Sequence, residues 1–181
     1  MELLDLVDEN GIPTGQTVDR ETAHREGLRH RTAHLWLLRR REGRVQVLLQ
    51  KRSAQKDSYP GCYDISSAGH IPAGMGFIPS ALRELREELG LEAQAEELIP
   101  CGLRRFQYRD TFHGKPFWDN QVSQVFALWR DVEPEALTLQ SSEVASVLWM
   151  DYEACVRAVK ACAFPNCIRL EELELLQNAW K

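Results

Sequence analysis

The chain has 181 residues, 44% of them hydrophobic and 27% charged, with a formal net charge of −5. That length suits one domain with a proper core, and the composition is ordinary for a soluble globular protein. The acidic balance lacks the basic footprint of a nucleic-acid binder, so no polymeric nucleic acid partner is expected; no apolar run nears the ~20 residues that span a bilayer, so no membrane partner is expected either.

In chain order, residues 3–7 alternate weakly and run into Asp8-Glu9-Asn10-Gly11. Asn-Gly tolerates positive φ, which predicts a turn between two short strands. No basic stretch followed by an apolar core opens the chain, so a secretory leader is not expected. Residues 19–27 suit a helical turn. His34-Leu35-Trp36-Leu37-Leu38 and Val45-Gln46-Val47-Leu48-Leu49 flank Arg39-Arg40-Arg41-Glu42-Gly43, which predicts a hairpin with a charged loop. Tyr59-Pro60-Gly61 predicts a turn. A helix is predicted over residues 79–90. Strands are predicted at 99–109 and 121–130, joined by a loop rich in aromatic and polar residues, and again at 144–150. A C-terminal helical segment follows at about 151–181, with helices at 151–162 and 168–180. There Leu173, Leu176 and Trp180 recur at helical spacing, a stripe suited to core packing or to a homodimer face. Strands interleaved with helices argue for an α/β layered fold, read as a single domain over residues 1–181.

The five cysteines (Cys62, Cys101, Cys155, Cys162 and Cys167) are odd in number, and none forms a C-x-x-C pair. Reduced thiols in a cytoplasmic protein are the simplest account. A zinc site from Cys155, Cys162 and Cys167 would lack paired ligand spacing.

The informative segment is Pro79-Ser80-Ala81-Leu82-Arg83-Glu84-Leu85-Arg86-Glu87-Glu88-Leu89-Gly90. Pro79 suits a first helical turn and Gly90 a left-handed exit. Leu82, Leu85 and Leu89 fall on one stripe. Glu84, Glu87 and Glu88 are read on the opposite side, at offsets of three and four, where their carboxylates can converge. Arg83 lies four residues before Glu87, within ion-pair reach. Converging carboxylates repel unless a cation sits among them, and Mg²⁺ prefers such oxygen ligands. Taken alone, these residues equally describe a solvated charged face.

The preceding residues change that balance. Gly69-His70-Ile71-Pro72-Ala73-Gly74 leads into the helix, and residues 69–91 resemble the Nudix box, G-x5-E-x7-R-E-U-x-E-E-x-G-U with U apolar. The resemblance implies an α/β/α sandwich with a mixed β-sheet and a loop–helix–loop metal site. It implies Mg²⁺ or Mn²⁺ held by Glu84, Glu87 and Glu88, with the Gly69 carbonyl as a further ligand. One position departs: the pattern's first glutamate is Met75, whose thioether can neither ligate Mg²⁺ nor pair with Arg83.

His30-Arg31, His34-Leu35-Trp36, Leu48-Leu49-Gln50-Lys51-Arg52, Lys56-Asp57, Asp64-Ile65-Ser66 and Ala68-Gly69-His70 further resemble the Nudix branch related to type I isopentenyl diphosphate isomerase. In that branch an arginine and a lysine four residues apart hold the substrate diphosphate, and Arg52 and Lys56 match them. A planar donor fork and a compact charge together suit phosphate oxygens. The isomerase also has a metal site of three histidines and two glutamates. His24, His30 and His70 fall near the histidines, with His24 to His30 one residue short; Asp119 and Gln121 fall near the acids. The isomerase's catalytic cysteine falls on Ala68, which cannot move a proton. Taken singly, each histidine equally suits a hydrogen-bonded structural role.

These readings imply a metal-dependent hydrolase that cleaves the phosphoanhydride of a small-molecule diphosphate, with Arg83, Glu84, Glu87 and Glu88 as its catalytic group. Asp119 and Glu143 are alternatives for the base that takes the proton of the attacking water. Phe112, Phe117 and Trp118 suit either stacking on a substrate or core packing. The competing readings are an isomerase and a catalytically weak binding module of the same fold. Prenyl diphosphates, nucleoside diphosphates and dinucleotides all stay open as substrates.

Overall fold

The computed structural model describes residues 2–181. Strands β1 (Leu3–Val7) and β2 (Pro13–Asp19) pair as the expected small hairpin, and helix α1 (Arg20–Glu26) follows directly. Asp19 starts that helix by accepting the Thr22 N–H at 2.9 Å, which satisfies one of the free amides of its first turn. Gly27 ends it at φ 67°, and a Cβ there would overlap the Trp118 ring, so glycine is needed twice over.

The main sheet is built from β3 (His30–Arg41), β4 (Arg44–Arg52), β5 (Tyr63–Asp64), β6 (Ser67–His70), β7 (Ile99–Phe112), β8 (Lys115–Trp129) and β9 (Val144–Asp151). Its order is β5-β4-β3-β8-β7, with β6 beside β3 and β9 beside β4. Strands β3 and β8 run parallel and the other pairs antiparallel, so the sheet is mixed. Strand β3 is apolar on both faces because both are covered. Leu35 and Leu37 meet Ala81, Leu85 and Leu89 of helix α2 (Phe77–Leu89). On the other face, Trp36 and Leu38 meet helices α3 (Tyr152–Lys160) and α4 (Leu170–Leu176) through Tyr152, Cys155, Leu173 and Leu176. The result is an α/β/α sandwich. Each fully buried leucine in it contributes roughly 2 kcal/mol.

Two local expectations need correction, and one pair of alternatives is decided in favour of core packing. Helix α2 begins at Phe77, two residues early, which leaves Pro79 still inside its first turn. The loop expected between 109 and 121 is instead the end of a long hairpin: His113 and Gly114 both take positive φ (50° and 74°), the pattern of a tight two-residue turn. The Leu173–Leu176–Trp180 stripe is inside the molecule, with Trp180 set edge-on against Tyr152 at 5.0 Å between ring centroids. No helix among the described residues is long and apolar enough to cross a membrane.

Candidate active site

Two groups of polar side chains flank β6, one on each face of the sheet. On the α2 face, a Cβ at Gly69 would overlap the Glu84 carboxyl, so glycine lets Glu84 lie directly against this strand. Glu84 pairs with Arg83, whose Nη2 also donates to the His70 carbonyl at 3.3 Å. Arg83 reaches Glu87 more loosely, Nε to Oε2 at 4.0 Å. Glu88 lies deeper, 5% exposed, taking Gln50 Nε2 at 3.3 Å and the Ala68 N–H at 3.4 Å.

Glu88 therefore does not share the solvated side with Glu87, and Glu84 is itself mostly buried. At about 100° per residue Glu88 lies only about 60° from Leu85, near enough to the apolar stripe to be drawn under it. Burial pushes its carboxyl up to about 8, and burial also raises Glu84 despite the Arg83 charge. The three glutamates lie near enough to raise one another's carboxyls, Glu87 that of Glu84 and Glu84 that of Glu88. Among the described residues, the group of three or more His, Cys, Asp or Glu side chains whose ligand atoms all lie within 4.8 Å of one another is His24, His30 and His70.

That histidine group sits on the other side of β6. His24 comes from α1, His30 from the start of β3 and His70 from the end of β6. His24 Nδ1 bonds the Arg20 carbonyl at 2.9 Å and His30 Nδ1 the Leu28 carbonyl at 2.8 Å. Donation from Nδ1–H to a carbonyl fixes the tautomer and leaves each Nε2 a free acceptor. His24 Nε2 lies 3.3 Å from His70 Nε2. Asp119 Oδ1 faces them, 3.7 Å from His24 Nε2 and 3.9 Å from His30 Nε2. Burial holds all three imidazoles below their usual range, His30 to about 4, and pushes Asp119 up to about 6. Phe117 stacks on His24 at 4.5 Å and closes one side. Phe112 packs edge-on against Phe117, and Trp118 fills the space beside Gly27 with Arg109 over its outer face.

A divalent ion fits this group. His30 Nε2 and Asp119 Oδ1 are buried and have no hydrogen-bond partner, a costly state that an ion between them would remove. Neutral imidazoles with one carboxylate suit Mn²⁺ better than Mg²⁺, whereas the Gly69 carbonyl with Glu84, Glu87 and Glu88 suits Mg²⁺.

A cavity of about 150 Å³ opens beside the histidines. Its walls include His24, His70 and Asp119, and the phosphate-binding pair Arg52 and Lys56 expected from the sequence. Both of those cations already have partners, Arg52 with Asp64 at 2.9 Å and Lys56 with Glu143. Of the two base alternatives, Asp119 lines the cavity, and Glu143 stands behind it on Lys56. Gln121 also lines it, taking the Thr32 hydroxyl at 3.3 Å.

Several residues here were not singled out by sequence reasoning. Arg31 donates to Asp5 Oδ2 and to the Met75 carbonyl, both at 2.9 Å, and Asp5 also takes the Gly74 N–H. These bonds hold the loop before α2 through its backbone, while the Met75 side chain is 39% exposed. Glu172, from α4, accepts His34 Nδ1 at 2.9 Å and Trp36 Nε1 at 3.0 Å. Burial would raise it, but His34 and Arg104 outweigh this and hold it down to about 2. The three cysteines weighed for zinc are not brought together: Cys155 is in the core and Cys162 is exposed.

The NUDIX domain family matches residues 28–166. Nudix hydrolase 3 of Arabidopsis thaliana is 42% identical over 156 residues, which are 84% of this chain but only 19% of that protein. An isopentenyl-diphosphate Delta-isomerase of Escherichia coli is 31% identical over 157 residues, 86% of this chain and 80% of the isomerase. A Deinococcus radiodurans protein of known crystal structure shares the fold with a TM-score of 0.69 at 19% identity, covering 99% of this chain and all of that one. The chain belongs to the Nudix family, on the branch that also holds the isomerases.

Proposed function

We propose that this protein, acting as one Nudix domain over residues 1–181, is a metal-dependent pyrophosphohydrolase that cleaves the phosphoanhydride of a small-molecule diphosphate in the cavity beside His24 and His70. The observation that carries the reading is one shared wall: Arg52 and Lys56 border the same space as a preassembled imidazole–carboxylate group. Arg52 offers a planar fork to one phosphate and Lys56 a point charge to the other. Loosening their pairs with Asp64 and Glu143 exchanges one carboxylate for phosphate oxygens at little electrostatic cost.

His24, His30, His70 and Asp119 would hold one ion, and the Gly69 carbonyl with Glu84, Glu87 and Glu88 another. A bound divalent ion supplies charge neutralisation on the phosphates and a more acidic water. Asp119, which lines the cavity, and Glu143, which pairs with Lys56, are the alternatives for the base that takes the proton of the attacking water. Arg83 holds Glu84 in place beside Gly69. The test is release of phosphate or a monophosphate from a panel of prenyl, nucleoside and sugar diphosphates with Mg²⁺ or Mn²⁺. Turnover that needs the ion supports the reading; a panel left intact under both ions removes it.

One observation favours isomerase chemistry, the three-histidine group itself. Ala68 opposes it, because a methyl group stands where a proton-moving thiol would be needed, and its cross-strand partner is His34. A base without an acid on the opposite side of a carbon chain cannot complete a double-bond shift.

A further inference from the structure

The cavity has a second basic end that the diphosphate does not use. Arg104 on β7 pairs in register with Ser123 on β8, Ser123 with Thr32 on β3, and Thr32 with His70 on β6. One row of residues therefore crosses the sheet from the histidine group to Arg104. The Thr32 and Ser123 hydroxyls, 2.7 Å apart, fix that row on a common face.

Arg104 is 7% exposed, and its Nε and Nη1 have no hydrogen-bond partner. Glu172 Oε2 lies 3.5 Å from its Nε as a loose ion pair, which leaves Nη1 with no partner. Arg169, at the start of α4, has no carboxylate within 4.0 Å among the described residues. Its guanidinium lies 4.8 Å from the centre of the Phe106 ring, and that of Arg104 lies 4.7 Å from the same centre. Both arginines line the cavity. A buried, under-bonded guanidinium is stable only with an anion or water before it.

We propose that Arg104 and Arg169, clamped on Phe106, form a second anion subsite that holds an oxyanion, phosphate or carboxylate, at the far end of the substrate. The substrate is then a short diphosphate with a charged tail, and prenyl diphosphates are poor ligands. This rests on Arg52 and Lys56 binding the diphosphate. Strands β4 and β7 are separated by β3 and β8, so three strand spacings, about 14 Å of backbone, lie between the two basic ends. Long side chains reaching inward leave room for a linker of a few atoms. No Leu, Ile, Val or Met lines the cavity, and five basic side chains face two acidic ones there. An apolar tail at this end would strip water from two guanidinium groups, a cost that contact with the Phe106 ring offsets only in part.

Three matched probes test this: butyl diphosphate, 4-carboxybutyl diphosphate and 4-phosphobutyl diphosphate, each with Mn²⁺. Hydrolysis is followed as kcat/KM and binding by calorimetry. At least one charged-tail probe is expected to exceed butyl diphosphate by at least ~10-fold, and the better of the two identifies the anion. Arg169→Ala, at a half-buried position, should bring that ratio close to one; Arg104→Gln should do the same where it folds. Equal handling of all three probes, preference for the butyl tail, or a ratio unchanged in Arg169→Ala overturns the subsite. Cleavage without preference removes the subsite and leaves the hydrolase reading intact. Preferential binding without cleavage does the reverse.

Discussion

The two polar groups flanking β6 are made of different charges and were unequally legible in the sequence. The glutamates of α2 come from five consecutive residues inside a contiguous motif; the histidines come from α1, β3 and β6, with Asp119 from β8. Among the described residues, the histidines have ligand atoms within 4.8 Å of one another. Neutral imidazoles pinned by backbone carbonyls can share a point at no Coulombic cost. Three carboxylates cannot, so Glu84 turns to Arg83, Glu87 stays half-exposed and Glu88 takes refuge in the core with a raised pKa. Sequence spacing placed the glutamates on one helix, but a single element does not determine where repelling charges settle.

Substitutions on the two sides sharpen this contrast. The largest effect is expected on the glutamate side. Glu88→Gln should lower kcat at least ~10²-fold, because it removes buried charge that only a cation can balance, while the exposed Glu87 should cost about tenfold. Equal losses in steady-state kinetics would mean that burial does not rank these ligands. Next comes Glu172→Gln, which strips a buried carboxylate from His34, Trp36 and Arg104. Denaturant unfolding should show a loss of about 3 kcal/mol. Because Glu172 is held at about 2, its contribution is present above the ordinary carboxylate range and fades as pH falls from about 4.5 towards 2.

A smaller effect belongs to the phosphate side. Lys56→Ala should raise KM for a diphosphate about tenfold, or ~1.4 kcal/mol, with kcat little changed. A fall in kcat alone would place Lys56 at the reacting atoms. The smallest is a pH effect. Glu88 at about 8 and Asp119 at about 6 bind protons in the metal-free fold that the unfolded chain has released, so metal-free stability falls as pH rises from about 4.5 to 8. A bound ion replaces those protons. The rise in Tm on adding Mn²⁺ should therefore be larger at pH 8 than at pH 6, and a flat response would deny that these carboxylates face the ion.

The layered fold, the hairpin around Glu42-Gly43 and the α2 motif could be read directly, because each rests on local periodicity or turn chemistry. The β7–β8 hairpin hid its outer half. The strands expected at 99–109 and 121–130 stop short of the turn at His113-Gly114, because Asp110 breaks the aromatic alternation of Phe106 and Tyr108 and Pro116 and Asp119 disfavour a strand reading. His24, His30, His70 and Asp119 could be set side by side from the resemblance to the isomerase branch, but not from spacing, because they lie on four separate elements. Glu172 and Arg104 were invisible: one sits beside Glu171 in an acidic helix, the other in a run of basic residues, and only the packing of α4 on the sheet makes them partners. Around Met75, Asp5 and Arg31 hold the loop through its backbone, contacts that no local pattern in the sequence announces.

Isopentenyl diphosphate incubated with the protein and Mn²⁺ in D₂O reads both chemistries in one tube. Phosphorus-31 NMR follows the broken anhydride, and proton NMR follows exchange on carbon. Slow formation of isopentenyl monophosphate and free phosphate, with no deuterium on carbon, is expected of a hydrolase that keeps Arg52, Lys56 and the ion-binding groups but has Ala68 in the thiol's place. Dimethylallyl diphosphate, or deuterium entering the carbon chain at a catalytic rate, would contradict it.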